Sequence, residues 1–277
     1  MAVPQNVLDT VYGSKPADWK QHSKGGGWVY KTATVEDSAY LHPTSIVSGD
    51  ARVYGDAQVS GDAWVYGNAW VYGNARVSGN AQVSGDAQVY GDAQVSGDAQ
   101  VSGDAWVYGN ARVSGDAWVY GNAQVSGDAQ VSGDAWVYGN ARVSGDAWVY
   151  GNARVSGDAW VSGDAWVYGN ARVYGNARVS GNAQVSGDAR VYGNAWENTP
   201  PLLYGTKHPL SLCSLTQIAI GCHVHDFAYW LEHGPAIGRS EGYTTEQIAE
   251  YRRHFMYLKA LAKRIQAAQK KAEKAKK

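Results

Sequence analysis

The residues best suited to chemistry gather in one short stretch, Cys222-His223-Val224-His225-Asp226, with Cys213 nine residues earlier. Two thiolates and two imidazoles are a sufficient donor set for tetrahedral zinc, and two adjacent strands would bring them together. The spacing argues the other way, because the Cys-X2-Cys and His-X3-His pairs of common zinc modules are missing. On a continuing strand His223 and His225 share a face while Cys222 points away. Cys213, Cys222, His223 and His225 are therefore candidate metal ligands, set against a plainer reading: two buried cysteines and two polar histidines in a small α+β cap. The lysines at 270, 271, 274, 276 and 277 suit phosphate contact, and equally a solvated helix end. No pattern in the chain calls for an organic cofactor.

The elements that position these groups are dominated by a repeat. From residue 48 to 191 the unit Ser/Tyr-Gly-Asp/Asn-Ala-X-Val recurs twenty-four times without an insertion. A fixed period means that one small unit is stacked on copies of itself. Six residues are too few for a helix pair. Ala63 and Val65 lie two apart, so on a strand both face inward while Trp64 and Tyr66 face outward. The Gly-Asx pair is turn chemistry, since Gly adopts positive φ freely and Asn or Asp tolerates it better than most residues. Each hexad reads as a short strand plus a corner.

This Val-X-Gly-Asp/Asn-Ala-X pattern resembles the hexapeptide repeat of left-handed parallel β-helices, the transferase hexapeptide-like superfamily. The resemblance implies an all-β solenoid with three hexads per triangular coil, 18 residues per turn. Residues 30–191 then make twenty-seven hexads, or about nine coils, roughly 43 Å of prism at the spacing of paired strands. The best-known relatives are acyltransferases, in which a histidine beside the coil acts as general base and a loop leaves the coil to shape the site. Here residues 48–191 hold no His and no interrupted hexad; His42 and His208 lie outside the regular stretch. Acyl transfer is accordingly an alternative, and the expectation is a non-enzymatic protein. Gly25-Gly26-Gly27-Trp28-Val29, the unbroken hexads, and Ile220-Gly221-Cys222 followed by His225 and Trp230 look like hexapeptide-repeat proteins of bacteriophages and prophages. That likeness imports no activity.

Stacking at 18 residues makes i and i+18 neighbours. Tyr54, Tyr72, Tyr90 and Tyr108 form one predicted ladder, Tyr150 sits above Tyr168, Trp118 beside Trp136, and Trp148 beside Trp166. Eight Trp and ten Tyr point outward between residues 48 and 191, a large apolar area to leave wet. Either the ladders stabilise a thin coil whose Ala and Val bury little each, or part of this surface meets a partner. Candidate partners are other copies in a homotrimer, a small planar ligand such as a sugar or nucleotide, or a host protein. Calcium at the corner Asx residues is disfavoured, because the nine-residue period of calcium-binding rolls is absent. So is ice binding, since the regular stretch contains no Thr.

Residues 1–27 read as an irregular lead-in, 28–197 as the β-helix with 28–47 as a capping coil whose core Trp28 plugs, and 198–277 as an α+β domain. Residues 192–197 start a further coil that Asn198-Thr199-Pro200-Pro201 stops. Beyond it, residues 210–220 form a β-like run ending at Gly221, and 227–233 a short helix stopped by Gly234-Pro235. Thr244-Thr245-Glu246-Gln247 resembles a capping box. Behind it, Ile248, Tyr251, Phe255, Leu258, Ala262 and Ile265 mark a long amphipathic helix with a basic end. A formal net charge of -1 predicts neither a nucleic-acid nor a membrane partner in bulk, and two cysteines make no secreted disulfide framework. With no signal-peptide pattern or bilayer-length apolar run, the expected site is the host cytoplasm, or the virion, since phage-particle proteins also lack signal peptides. The expected role is a rigid scaffold presenting aromatic rows. The alternatives are a viral antagonist that sequesters a host signalling nucleotide or protein, and a virion fibre component.

Overall fold

A computed structural model of the chain describes residues 2–192, 195–196, 201–221 and 223–275. Residues 28–192 wind into a three-sided parallel β-helix. Within that span the three sheets contain ten, nine and nine strands, almost all of two residues. Gln82 pairs with Gln100 and Val83 with Val101, a register of 18 that is kept up all three faces as far as residue 192, and that shortens to 17 where Ala195 pairs with Arg178. Ala and Val of every hexad from 48 to 191 are fully buried or nearly so, and X faces out, which confirms the inward set read from the alternation.

Backbone hydrogen bonds run from each coil to the next. In the hexad around Gly97, Gln94 N–H donates to the Ala111 carbonyl, Ser96 to Val113 and Asp98 to Gly115, each at 2.9 Å. The corner glycine has φ +72°, and a Cβ there would lie 2.9 Å from the amide nitrogen of Gly115. Gly is thus required for two reasons, a left-handed backbone and the close approach of the coil above. The corner Asx residues do not share the first reason. Among the described residues positive φ is confined to glycine. The Asx side chains instead build ladders between coils: Asn68 Nδ2 donates to Asp86 at 2.9 Å, Asn80 to Asp98 at 2.7 Å and Asn140 to Asp158 at 2.9 Å.

The first residues are more ordered than the lead-in expected from sequence. Helix α1 (Gln5–Leu8) and a 3-10 turn (Pro16–Asp18) precede the strand Trp19–Gln21, which pairs antiparallel with Trp28–Tyr30 and covers one sheet edge. Trp28 does not plug the prism. The inward residue of its strand is Val29, and Trp28 is buried on the outside with Val7, Trp19 and Ile46. The prism end is closed by the glycine run, where a Cβ on Gly27 would lie 2.6 Å from Leu41 Cβ. Buried His22 joins it, its Nε2 3.0 Å from the Ala39 carbonyl.

At the other end, Ala195–Trp196 pairs with Arg178–Val179, beginning the incomplete coil. The predicted stop lies, apart from Pro201, outside the described residues. The run predicted over 210–220 is two strands, Pro209–Leu212 and Gln217–Ile220, in an antiparallel sheet with Leu202–Tyr204 and His223–Asp226. A Ser-Thr turn separates them, the Thr216 amide donating to Ser214 Oγ at 3.2 Å. Ser211 seals the last coil by accepting from Arg190 N–H and donating to its carbonyl, at 3.1 and 3.0 Å. Leu210, Leu212 and Ile218 extend the solenoid core beyond it.

Helix α2 (Phe227–Ser240) runs through Gly234-Pro235 rather than stopping there. Asp226 caps it by accepting from the Tyr229 amide at 2.7 Å, and Trp230 Nε1 anchors it to the Ile218 carbonyl at 2.8 Å. Pro235 lacks the amide that would bond to the Leu231 carbonyl one turn earlier, and the helix continues past it to Ser240. Helix α3 (Thr245–Ala275) starts on the predicted capping box. The Thr244 amide donates to Gln247 Oε1 at 2.9 Å, and the Gln247 amide to Thr244 Oγ1 at 3.2 Å. Its stripe buries Tyr251, Phe255, Leu258 and Ala262. Among the described residues no helix is long and apolar enough to cross a membrane.

Candidate functional site

Two places hold the residues singled out by sequence, the outer faces of the prism and the C-terminal sheet. On the prism, register alone sets the aromatic columns. Tyr72 stacks on Tyr90 at 4.9 Å between centroids and Tyr90 on Tyr108 at 5.0 Å, both with planes 3° apart. Tyr54, the first of the predicted four, meets the edge of Trp70 at 6.5 Å. Trp118 and Trp136 stack at 5.3 Å, Trp148 and Trp166 at 5.2 Å, and Tyr150 and Tyr168 at 5.1 Å. The same spacing produces a further pair, Tyr120 on Tyr138 at 5.0 Å.

Eight of these residues form two similar four-ring clusters on different faces, Trp118, Tyr120, Trp136 and Tyr138 in one and Trp148, Tyr150, Trp166 and Tyr168 in the other. Tyr120 turns its edge to Trp136 at 6.2 Å, and Tyr150 does the same to Trp166 at 6.3 Å. Arg154 covers Trp136 at 4.8 Å, a contact that hexad patterning alone does not flag. Burial pushes up the phenols of Tyr72, Tyr90, Tyr120 and Tyr150; neighbouring phenols add to this at the last three. Rings about 5 Å apart and nearly parallel leave no gap for a third. A planar ligand therefore has ring edges and row ends to contact, not stacking slots between the rings.

The C-terminal candidates divide between two environments. Cys213 is buried at the solenoid end, where its carbonyl accepts from Tyr192 N–H at 2.8 Å and its thiol donates to the Ser211 carbonyl at 3.4 Å. Burial pushes that thiol up to about 12, so it stays protonated at neutral pH and is a poor metal ligand. His223 and His225 share a face as predicted, with ring centroids 6.3 Å apart, and lie against α2. His225 stacks on Tyr229 at 3.9 Å and meets the edge of Trp230 at 5.3 Å, while His223 Nε2 lies 3.3 Å from Glu241 Oε1. Partial burial, then the charge of His223, lowers the His225 imidazole below its ordinary value. Cys222 lies outside the described residues. Among those described, no three His, Cys, Asp or Glu side chains gather in a way that would hold a metal ion.

Sequence reasoning misses the grouping of His223 with Glu241, Tyr251 and Arg252 around one cleft. It depends on how α3 packs back on the sheet, which no local pattern encodes. The Tyr251 hydroxyl fixes that packing, accepting from the Lys207 amide at 3.0 Å and donating to the His208 carbonyl at 2.7 Å.

A search of curated proteins finds no significant sequence match. Among solved structures, the chain is similar to the Francisella novicida UDP-N-acetylglucosamine acyltransferase at 13% identity and a TM-score of 0.34. That alignment covers 80% of this chain and 76% of the other, and nothing about activity follows from it. The family model described as the YdcK beta solenoid repeat matches twelve overlapping segments between residues 47 and 198. Those segments take in more than half of the residues and coincide with the stacked coils of the prism, so the chain belongs to the YdcK beta-solenoid repeat family.

Proposed function

We propose that this β-solenoid scaffold is non-catalytic and assembles with further copies of itself, as a homotrimer, through its aromatic clusters. One observation carries the reading: the two Trp-Tyr clusters lie on different faces, one leaving Trp118 and the other Trp148 and Trp166 38–40% exposed. A tryptophan exposed to that extent keeps roughly 100 Å² wet, so covering it stabilises a contact by roughly 2–3 kcal/mol. Two like patches on different faces suit a cyclic contact, in which each copy meets two neighbours. The non-catalytic part is supported by uniformity. The outward residues of the regular hexads are Gln, Arg, Trp, Ser and Tyr beside corner Asx, with no His and no excursion from the coil, whereas general-base chemistry needs a titratable group held within hydrogen-bond reach of the proton it removes, and nothing in the repeat distinguishes one Asp from the next.

The test is the mass of the protein in solution. Light scattering after gel filtration is expected to give three chains. Trp118→Gln with Trp148→Gln should give one, without loss of fold, because Gln100 and Gln130 already occupy the same columns one coil below. A native monomer, or a double variant that stays trimeric, refutes the proposed contact.

A further inference from the structure

The C-terminal domain contains a cleft that the scaffold reading does not use. It lies between the end of the four-stranded sheet, α2 and α3, with a volume of about 150 Å³. Ile220, Trp230, Ile248 and Phe255 line it, an apolar wall of the size that takes one benzene-sized ring.

Its polar groups are few and unequal in charge. Glu241 is occupied by His223, 3.3 Å away. Arg252 also lines the cleft, and among the described residues its guanidinium has no ion pair or hydrogen bond. Lys207 adds a second uncompensated positive charge nearby. Its ammonium lies 4.7 Å over the Tyr243 ring and donates to the backbone carbonyls of Gly242, at 2.7 Å, and Glu241, at 3.3 Å. An unpartnered guanidinium beside an apolar wall is complementary to a carboxylate on a ring, since the planar fork of Arg matches carboxylate geometry.

We infer that the cleft beside Arg252 binds a small single-ring carboxylate, its ring against Trp230 and Phe255 and its carboxylate on Arg252. The inference is independent of the assembly proposed above, because none of the lining residues belongs to the prism.

Benzoate is the probe, titrated into the full chain by calorimetry, with benzyl alcohol as its uncharged counterpart. Benzoate is expected to bind saturably with a Kd of roughly a millimolar or tighter, as fits about nine heavy atoms. Benzyl alcohol should bind at least about tenfold more weakly, and Arg252→Gln should weaken benzoate by about the same factor. Gly234→Leu, placed in helix α2 where a Cβ meets only Trp230 at 3.4 Å, should fill the cleft and abolish binding. Circular dichroism and thermal melting establish that both variants are folded. Absence of saturable binding, equal affinity for the alcohol, an unchanged Arg252→Gln titration, or binding retained in Gly234→Leu each overturns the inference.

Discussion

Replacing Gly97 by alanine tests how tightly one coil rests on the next. Its φ of +72° costs an L-residue about 1–2 kcal/mol. The added Cβ would also stand 2.9 Å from Gly115 N and 3.0 Å from Gly115 O, so two coils must separate or shift. Overpacking of that kind costs about 1–3 kcal/mol, for a total of about 2–5 kcal/mol. Two comparisons separate the contributions. Gly13 has nearly the same φ, +73°, and a Cβ added there would meet nothing within 4 Å, so Gly13→Ala should cost only about 1–2 kcal/mol. Gly97→Asn eases the backbone cost and keeps the clash, so it should stay well below the native protein. Guanidinium unfolding followed by tryptophan fluorescence reads the totals, and hydrogen exchange at the Asp98 amide, bonded to Gly115, reads the damage locally. The reasoning fails if Gly97→Ala costs no more than Gly13→Ala, or if Gly97→Asn lies within about half a kcal/mol of native.

Asn80→Asp removes an amide donor and stacks a carboxylate on Asp98; it should destabilise by about 0.2–1 kcal/mol at low salt and less in molar salt, read from denaturation at two ionic strengths. The phenols of Tyr72, Tyr90, Tyr120 and Tyr150 should ionise above the ordinary value of 10. Because the folded state holds the proton more firmly, ladder stability is present below pH 10 and is lost as pH rises past it, visible as a late tyrosinate absorbance step that moves down on unfolding. His225 works in the opposite direction. Its lowered value means that the unfolded chain binds the proton more readily, so stability is present above about pH 6.5, the ordinary histidine value, and falls as pH drops below it. Melting of His225→Phe should show a smaller loss between neutral and mildly acidic pH.

The solenoid is legible in the sequence because its inside and outside differ in kind at every hexad. Ala63 and Val65 are inward, Trp64 is outward, and one spacing of 18 then orders Tyr90, Trp118 and Tyr150 along their columns. Trp28 is misplaced when size is weighed over alternation: Val29 is its inward partner, and a strand admits only one of the two. The C-terminal domain is less legible. Pro235 signals a stop by local rules, whereas α2 continues through it, held by the Asp226 cap and the Trp230 anchor to the sheet. The pairing of His223 with Glu241 spans a turn, a helix and a strand. Composition groups Cys213 with His223, but one faces the solenoid and the other a helix.

Because Gln82 answers to Gln100 and every layer resembles the one beneath it, the chain can change length in whole steps. Removing 18 residues from the middle should delete one storey and leave the remaining faces aligned with the glycine-closed base and the helical roof. Removing six also preserves the alternation, but it turns everything downstream by about a third of a revolution. Columns such as Tyr72 to Tyr108 would then be cut, and Trp and Arg would meet new neighbours. The fold thus tolerates either edit, whereas the pattern on its walls survives only the larger one.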